Sequence, residues 1–402
     1  MMRMKEEMRA AAAQAENERV DALMKAITPI GQYEEAFNAA RDARLPRIST
    51  GYPELDRVLT GGLVNELYIM GAETSTGKSA FLMSIAQNIA ASGIDVLYFS
   101  MEMGKEELVA RGISAISYER WDDARSKGKA DDQRPKQFTA AQILYWVWDN
   151  ILHDYTQVPR KSYAADATEY FRRYGGHLHI IEGSVGGGLT VYDIVQMSKR
   201  FKAQSGKTPV VFIDYLQIIH PAPDDSPDRK TRMDTIVTTL KGLASQVGMP
   251  VFALSSVGRT QYGHKVSKES FKESGDVEYT GGILCGWNWL GVTNSRNPFR
   301  KFQEMQDSKI RGFRKMRFEV LKYRNAEIAS KVDFCYYPAY NYFKTPEVAF
   351  VDMDDADIPN DFKKGKTTKN AKKPPKQKKD GPNDTQTGLS DLFNKPMKET
   401  NY

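Results

Sequence analysis

The sequence predicts an α/β protein organised around a mainly parallel β-sheet, and three features of the chain lead to this prediction. An apolar run at 67–70 leads into a glycine-containing turn and then into a helical segment. Two further apolar runs, at 94–100 and 210–213, alternate with helical segments, and this alternation is typical of parallel sheets. The chain has 402 residues, of which 41% are apolar, so it can bury one large core or two smaller ones.

The turn after the first apolar run has the pattern of a phosphate-binding P-loop. In such loops backbone N–H groups surround the β-phosphate, a lysine bridges the β- and γ-phosphates, and the next hydroxyl binds Mg²⁺. Lys78 and Ser79 would fill these two roles, at the start of a helix predicted to run to about Ser92. Because Ala72 stands where the strict pattern has its first glycine, a simple glycine-lysine turn is the alternative. The candidate nucleotide-binding residues are Gly71, Ala72, Glu73, Thr74, Ser75, Thr76, Gly77, Lys78, Ser79 and Ala80.

Two acidic residues at strand ends complete the predicted site. Glu102 follows the run at 94–100, where it could orient and deprotonate a water that attacks the γ-phosphate. The alternative is that Glu102 caps the next helix. Asp214 ends the run at 210–213 in the form of a Walker B strand, whose acid holds the water shell of Mg²⁺. The predicted cofactors are therefore ATP and Mg²⁺.

Composition favours a cytoplasmic protein that does not insert into a membrane. No apolar run approaches the roughly 20 residues that a membrane span needs. The two cysteines, Cys285 and Cys335, lie in apolar runs, so a disulfide framework is not indicated and a reducing compartment fits. The five histidines lack the spacing of metal ligands.

The positive charge of the chain is concentrated at its C-terminal end. Residues 361–402 contain eleven lysines and five acidic residues, which equals the net charge of +6 for the whole chain. We interpret residues 359–402 as a disordered, lysine-rich tail. The tail could attract phosphates without regard to sequence, or it could simply be solvated.

The first 45 residues are predicted to form a helical arm in front of a domain that spans 46–358. Val20, Leu23, Met24 and Ile27 follow the helical i, i+3, i+4, i+7 pattern. So narrow an apolar stripe needs an apolar surface to pack against, which would belong either to its own domain or to a neighbouring subunit.

The remaining apolar runs and two loops define the rest of the predicted domain. Further strands are predicted at 178–181, 250–254, 283–289, 317–322 and 331–337, and a helical block at 144–155. Loops at 220–232 and 258–275 would emerge near the same sheet edge and suit contacts to a single-stranded backbone, although solvated charge is the alternative. The candidate DNA-binding residues in them are Arg229, Lys230, Arg232, Lys265, Lys268 and Lys272.

Lys322 and Arg324 are two residues apart at the end of a predicted strand. Side chains at this spacing project to the same side. Such a pair could reach the nucleotide of an adjacent subunit.

Together these motifs resemble the C-terminal motor domain of DnaB-type replicative ring helicases, which are RecA-like P-loop NTPases. The resemblance covers about 48–343 and includes, in order, STGYPELDRVLTGGL, GAETSTGKSA, YFSMEMGKEELVAR, VVFIDYLQII, ALSSVGR, FKESGDVEY and LKYRN. FS-x-EM and IDYLQ are specific to this family among P-loop proteins. Members of the family also often carry alanine at the position of Ala72.

The resemblance implies an ATP-driven 5′ to 3′ DNA helicase that acts as a hexameric ring on single-stranded DNA during replication. It implies that Glu102 is the catalytic base and that Arg324 is an arginine finger acting across the subunit interface, with Lys322 as its companion. It also implies γ-phosphate sensing at Ser256 and Arg259. The partners that it suggests are a loader, primase or sliding clamp, the last through residues 388–393, GLSDLF.

Three departures from the family keep alternatives open. The family usually has glutamine at the position of Ser256, and the glycine and proline that usually follow the last arginine-asparagine pair are replaced by residues 326–328. Because only about 45 residues precede the motor, we expect the N-terminal collar to be absent, which favours a phage or mobile-element helicase. The alternatives are a recombinase filament and a nucleotide-gated scaffold that does not unwind DNA.

Overall fold

The computed structural model describes most of the predicted domain. The described residues are 47–130, 138–145, 148–149, 154–155, 162–222, 228–258, 262–271, 282–293, 298–323 and 330–350. Within the predicted arm they are 14, 16–18, 20–21, 24, 34 and 38, and all of these are helical. The predicted lysine-rich tail lies outside the described residues, as do Arg259, Lys272 and Arg324.

A nine-stranded sheet forms the centre of the protein, in the order β11-β10-β9-β8-β1-β7-β6-β2-β5. The six strands from β8 to β5 in that order are parallel to one another, whereas β9, β10 and β11 pair antiparallel with their neighbours. The mainly parallel α/β fold predicted from the sequence is thus confirmed. The strands are β1 Leu67–Ala72, β2 Val96–Ser100, β5 Leu178–Glu182, β6 Val210–Asp214, β7 Val251–Ser256, β8 Ile283–Trp289, β9 Arg314–Tyr323, β10 Lys331–Tyr337 and β11 Tyr342–Lys344.

Helices cover both faces of this sheet, which explains why its central strands are apolar without alternation. In β1, Tyr68 and Met70 belong to one core and Leu67 and Ile69 to another, because successive side chains point to opposite faces. The helices are α1 Pro53–Val58, α2 Lys78–Ala91, α3 Lys105–Ser126, α4 Ala140–Leu144, α5 Tyr163–Tyr174, α6 Val191–Ser205, α7 Arg229–Gln246 and α8 Pro298–Arg311.

The helical block predicted at 144–155 is wrong. Helix α4 ends at Leu144, and the backbone of Tyr145 is extended, with φ −124° and ψ 147°. The short strands β3 Trp148–Asp149 and β4 Asp154–Tyr155 then pair antiparallel in a separate two-stranded sheet. The physical reason is that aromatic and β-branched residues, which crowd this stretch, favour extended backbone.

Strands β9 and β10 are joined by a buried ion pair. Arg317 and Asp333 are 1% and 4% exposed and face each other across the two strands. The guanidinium donates to the carboxylate through Nε at 2.7 Å and Nη2 at 3.1 Å. Asp333 also accepts a hydrogen bond from the backbone N–H of Phe350, at 2.7 Å. The pair therefore fixes the register of this edge of the sheet and its connection to the residues beyond β11.

We expect Asp333→Ala to lower the free energy of unfolding by about 3–5 kcal/mol, because it removes the carboxylate that neutralises the buried Arg317 guanidinium. Urea unfolding monitored by tryptophan fluorescence would measure the change. Asp123→Ala is the matched control, since its partner Lys127 lies on the surface and the pair is about 60% exposed on both sides. The control should lose less than about 1 kcal/mol. Equal losses in the two variants would contradict the structural role of the buried pair.

Candidate active site

The predicted P-loop connects β1 to α2. Strand β1 is buried along its whole length and ends at Ala72, and α2 begins at Lys78. Between them the chain turns through two left-handed positions, Ser75 with φ 62° and Gly77 with φ 87°. A Cβ at Gly77 would lie 2.5 Å from the ring of Tyr336, so glycine is required there for packing as well as for backbone conformation.

Residues from β8 and β9 support this turn from the side. The indole Nε1 of Trp287 donates to the carbonyl oxygen of Thr76 at 3.0 Å. Arg314 donates to the carbonyl oxygen of Ser75 at 2.7 Å and stacks on the ring of Trp289, 4.4 Å from its centroid. Sequence reasoning missed these residues, because neither belongs to a local motif and both are more than 200 residues away in the chain.

Lys78, Ser79 and Asp214 meet at the carboxyl ends of β1 and β6. Lys78 is buried at the first position of α2, with its Nζ 4.8 Å from the centroid of the Tyr215 ring. Asp214 is fully buried at the end of β6 and accepts a hydrogen bond from the Tyr98 hydroxyl at 3.2 Å. The predicted phosphate and metal residues are thus brought together.

Burial raises the pKa of Asp214 above its usual value, although interactions with Ser79 and Lys78 oppose this shift. Oδ1 of Asp214 is buried and makes no hydrogen bond within the described part of the chain. A hydrated Mg²⁺ fits this arrangement, because it would supply a partner for the carboxylate next to the Ser79 hydroxyl.

We expect Asp214→Asn to raise the melting temperature of the nucleotide-free protein at neutral pH. A folded-state pKa that lies above the unfolded one means that ionisation of Asp214 weakens the fold, and that this penalty disappears as pH falls through the raised pKa. Asparagine keeps the acceptor for Tyr98 without the charge. Asp193 is the contrasting control: its pKa is lowered by hydrogen bonds with Thr190, so Asp193→Asn should slightly lower the melting temperature. Differential scanning fluorimetry would contradict the argument if Asp214→Asn melted below the wild type.

Glu102 lies beside this cluster. Ser100, at the end of β2, pairs in register with Asp214, and Met101 donates a backbone hydrogen bond to the Asp214 carbonyl oxygen at 2.8 Å. Glu102 follows directly and is exposed. Burial is the main reason that the pKa values of Asp214 and Tyr215 are raised, and the charge of Glu102 adds to this rise. The N-cap of α3 is Gly104, so Glu102 does not cap that helix. A carboxylate thus stands at the open side of the site, close to the buried one.

The residue proposed to sense the γ-phosphate also reaches the P-loop strand. Ser256, the last residue of β7, pairs in register with Ala72. The backbone N–H of Val257 donates to the Ala72 carbonyl oxygen at 3.3 Å. The other candidate sensor, Arg259, lies outside the described residues.

The candidate DNA-binding residues are only partly on loops. Asp228 caps α7, accepting a hydrogen bond from Thr231 N–H at 2.8 Å, so Arg229, Lys230 and Arg232 lie in the first turns of a helix and not in the predicted loop. The helix starts here because aspartate is a good N-cap. In the second predicted loop, 258–275, the structure describes residues 258 and 262–271. They include a short 3₁₀ turn, Lys268–Phe271. Lys265 forms an ion pair with the largely buried Glu319, 2.9 Å between Nζ and Oε2.

Lys322 occupies the other end of the sheet from the P-loop. Strand β9 is antiparallel to β8 and begins near the P-loop with Arg314, so it runs away from the nucleotide site. Lys322 on β9 pairs with Leu284 on β8, and Leu284 pairs with Ile69 on β1. Lys322 is thus level with Ile69, which comes three residues before the end of β1 at Ala72. The register therefore puts Lys322 roughly 10 Å before the carboxyl end of β1, at ~3.3 Å per residue.

Comparisons with known proteins agree with this geometry. The family model "DnaB-like helicase C terminal domain" matches residues 47–345. The replicative DNA helicase DnaC of Bacillus subtilis is 26% identical over 79% of this chain and 60% of its own length. The DnaB helicases of Geobacillus stearothermophilus and Haemophilus influenzae are 28% and 29% identical, over 61% and 59% of this chain. The chain covers only 48% and 45% of those two relatives.

Two solved structures share the fold. The first, described as an ATPase domain, aligns with a TM-score of 0.55 at 22% identity, covering 79% of this chain and 97% of that domain. A DnaB-like replicative helicase, described with its interactions with primase, aligns with a TM-score of 0.59 at 21% identity, covering 85% and 73%. No helix in the described part of the chain is sufficiently long and apolar to cross a membrane. The family match spans most of the chain and includes every strand of the large sheet, and the chain therefore belongs to the DnaB-like helicase C-terminal domain family.

Proposed function

We propose that this chain is the motor of an ATP-driven DNA helicase that assembles into a ring, with six subunits expected. It moves 5′ to 3′ along single-stranded DNA during replication. The observation that carries the proposal is the convergence of Lys78, Ser79, Glu102 and Asp214 at one edge of the sheet. The family match and the names of its relatives support it.

In this proposal the P-loop holds the triphosphate of ATP. Backbone N–H groups of residues 73–78 surround the β-phosphate, and Lys78 contacts the β- and γ-phosphates. Ser79 and Asp214 would hold Mg²⁺, and the bound ion would supply positive charge against the phosphate oxygens.

Glu102 then activates the attacking water. The water oxygen bonds to the γ-phosphorus, the bond from the γ-phosphorus to the β–γ bridging oxygen breaks, and Glu102 accepts the proton that the water releases. Its exposed carboxylate beside Asp214 suits this role, because it can reach a water on the open side of the site. The products are ADP and inorganic phosphate.

Lys322 and Arg324 act on the nucleotide of a neighbouring subunit. Strand β9 carries Lys322 away from its own P-loop. A ring in which each subunit offers this end of the strand to the next would bring Lys322, and Arg324 two residues later in the sequence, to the next ATP. Such a head-to-tail contact closes into a ring when the rotation between subunits allows it.

The DNA path runs along the segments that follow β6 and β7. The exposed Arg229 and Lys230 at the start of α7 and Lys268 in the second segment contribute positive charge to it. Lys265 contributes less, because its charge is paired with Glu319. Contacts of this kind read the phosphate backbone and not the base sequence.

The N-terminal arm docks on the motor of a neighbouring subunit. An apolar cleft of about 560 Å³ between α3, α4, α5 and β5 would receive it. The cleft is lined by Val109, Ile113, Ile143, Leu144, Phe171 and Ile180, among others. The arm offers exposed apolar side chains at helical spacing, Val20 with 44% and Met24 with 59% exposure.

We expect Met24→Glu to shift the protein from rings to monomers, because it puts a charge into the apolar contact. Mass photometry over a concentration series would show a midpoint of assembly raised at least about tenfold, which corresponds to ~1.4 kcal/mol. Gln14→Glu, a charge added at an exposed helical position whose side chain contacts Glu18, is the matched control and should assemble as the wild type. Equal assembly of both variants would contradict arm docking.

Unwinding of forked DNA tests the proposed function. A fork with a 5′ tail and a fork with a 3′ tail are each incubated with the protein, ATP and Mg²⁺, with and without a supplied primase or loader. Opening of the 5′-tailed fork alone supports the proposal. Opening of the 3′-tailed fork alone contradicts the direction, filaments on DNA seen by electron microscopy favour a recombinase, and ATP hydrolysis without any unwinding favours a scaffold.

A further inference from the structure

We propose that Gln217 is a positioning residue that couples the ATP site to the segments facing DNA. This inference rests on the proposed function, because coupling has meaning only where ATP turnover responds to DNA. Gln217 lies three residues after Asp214, in the 3₁₀ turn Leu216–Ile218. The motor uses the aspartate at the end of β6, and the glutamine beyond it has no role in the mechanism described above.

The side chain of Gln217 replaces backbone pairing at the point where two strands separate. Strands β6 and β7 pair in register only as far as Ile213 and Ala253. Beyond them the amide of Gln217 bonds to both backbone groups of Ser256. Nε2 donates to its carbonyl oxygen at 3.1 Å, and Oε1 accepts from its N–H at 3.1 Å.

A third hydrogen bond joins these two, and we call the contacts of Gln217 with Ser255 and Ser256 the clamp. Nε2 of Gln217 also donates to the buried hydroxyl Oγ of Ser255 at 2.9 Å. On the opposite side of β7, Ser255 and Ser256 pair with Gly71 and Ala72 of the P-loop strand. The end of β7 is therefore held between the P-loop strand and Gln217. A movement of the P-loop strand would displace Gln217 through β7, and a movement of Gln217 would displace the P-loop strand.

The clamp also borders both segments proposed to face DNA. Gln217, Arg229, Ser270 and Phe271 line one small cleft. Phe271 in turn packs against Gly71, where an added Cβ would lie 2.6 Å from the ring. The cleft thus lies between Gln217, the start of α7 and the 262–271 segment, and Phe271 connects it to the P-loop strand.

The test compares DNA-stimulated with basal ATP turnover in four variants. Gln217→Leu has nearly the same shape and removes all three hydrogen bonds, Ser255→Ala removes one partner, and the double variant completes a cycle. Gln196→Leu, an exposed glutamine on α6, is the matched control. We expect the ratio of stimulated to basal turnover to fall at least tenfold in Gln217→Leu and to stay at the wild-type value in Gln196→Leu. We also expect the double variant to fall no further than Gln217→Leu.

Two results would overturn the inference. An unchanged ratio in Gln217→Leu would mean that the clamp does not couple the sites. A loss of basal and stimulated turnover in equal proportion, with a lower melting temperature, would mean that Gln217 only stabilises the fold.

A second readout separates this inference from the proposed function. If the wild-type protein shows no DNA-stimulated turnover, the proposed function fails, and hydrogen exchange of residues 262–271 with a non-hydrolysable ATP analogue still tests the clamp. We expect the analogue to slow exchange there in the wild type and in Gln196→Leu but not in Gln217→Leu. Identical exchange with and without the analogue in the wild type, or equal protection in Gln217→Leu, would refute coupling through this residue.

Discussion

Replacing Lys78 by alanine is expected to lower ATP turnover at least about 10²–10³-fold, the loss typical of removing one preorganised donor to a developing charge. Lys78 is the buried cation at the start of α2, 7% exposed, and it lies close enough to Asp214 to oppose the rise that burial causes in the pKa of that carboxyl. Its removal takes away the positive charge that would face the β- and γ-phosphates. Release of inorganic phosphate, measured under saturating ATP with DNA present, gives the size of the loss.

The control for Lys78→Ala is Lys199→Ala. Lys199 is an exposed lysine on helix α6. It should keep wild-type turnover. The melting temperature of both variants has to be measured as well, because loss of the buried cation next to Asp214 also changes the electrostatics of the fold. If folded Lys78→Ala kept a turnover within about threefold of the wild type, the P-loop could not be the catalytic phosphate-binding site.

Replacing Arg324 by alanine is expected to lower turnover about 10³–10⁵-fold in the assembled protein, which is the effect of losing an arginine finger. The position of Lys322 on β9 gives the physical reason for placing this residue at the neighbour's nucleotide. The strand leads away from its own P-loop as far as Tyr323, and Arg324, the second residue after Lys322 in the sequence, lies outside the described residues. Turnover measured against protein concentration, above and below the assembly midpoint, reports the dependence on a partner.

Mixing two inactive variants separates action across subunits from action within one. Lys78→Ala retains its arginine and Arg324→Ala retains its P-loop, so an interface between them can contain one complete site. In rings assembled from an equal mixture, about one quarter of the interfaces should be complete, and turnover should return in proportion. A mixture of Lys78→Ala with the double variant is the control and should stay inactive. Failure of the first mixture to regain turnover, when mass photometry shows mixed rings, would contradict a finger in trans.

The parts of this structure that the sequence predicts well are those encoded in short, contiguous stretches. The P-loop and the strand ending at Asp214 are predictable, because an apolar run, a turn and a polar residue lie within about ten positions of each other. The parallel order of the central strands follows from their alternation with helices.

The contacts that hold the site in shape are not predictable in this way. Trp287 and Arg314 support the P-loop from strands that lie 211 and 239 residues further along the chain. A helix is predicted where the short strands β3 and β4 lie, because the apolar residues of this stretch fit the helical and the strand periodicity equally well. Gln217 is part of a sequence motif, but only its three-dimensional contacts with Ser255 and Ser256 indicate what it does.

Strand β9 has contacts at its two ends that bear on how ATP sites communicate. Arg314 at its start holds the P-loop of its own subunit through Ser75. Lys322 near its end belongs to the pair that we propose to act on the nucleotide of the next subunit. The buried pair between Arg317 and Asp333 stiffens the strand between these points. In a closed ring, each β9 would act as a rod of roughly 30 Å, at ~3.3 Å per residue, that joins two consecutive nucleotides. Under the proposed arrangement, release of phosphate at one site would be transmitted along β9 to the Lys322–Arg324 pair at the next site, and hydrolysis would then proceed around the ring in order.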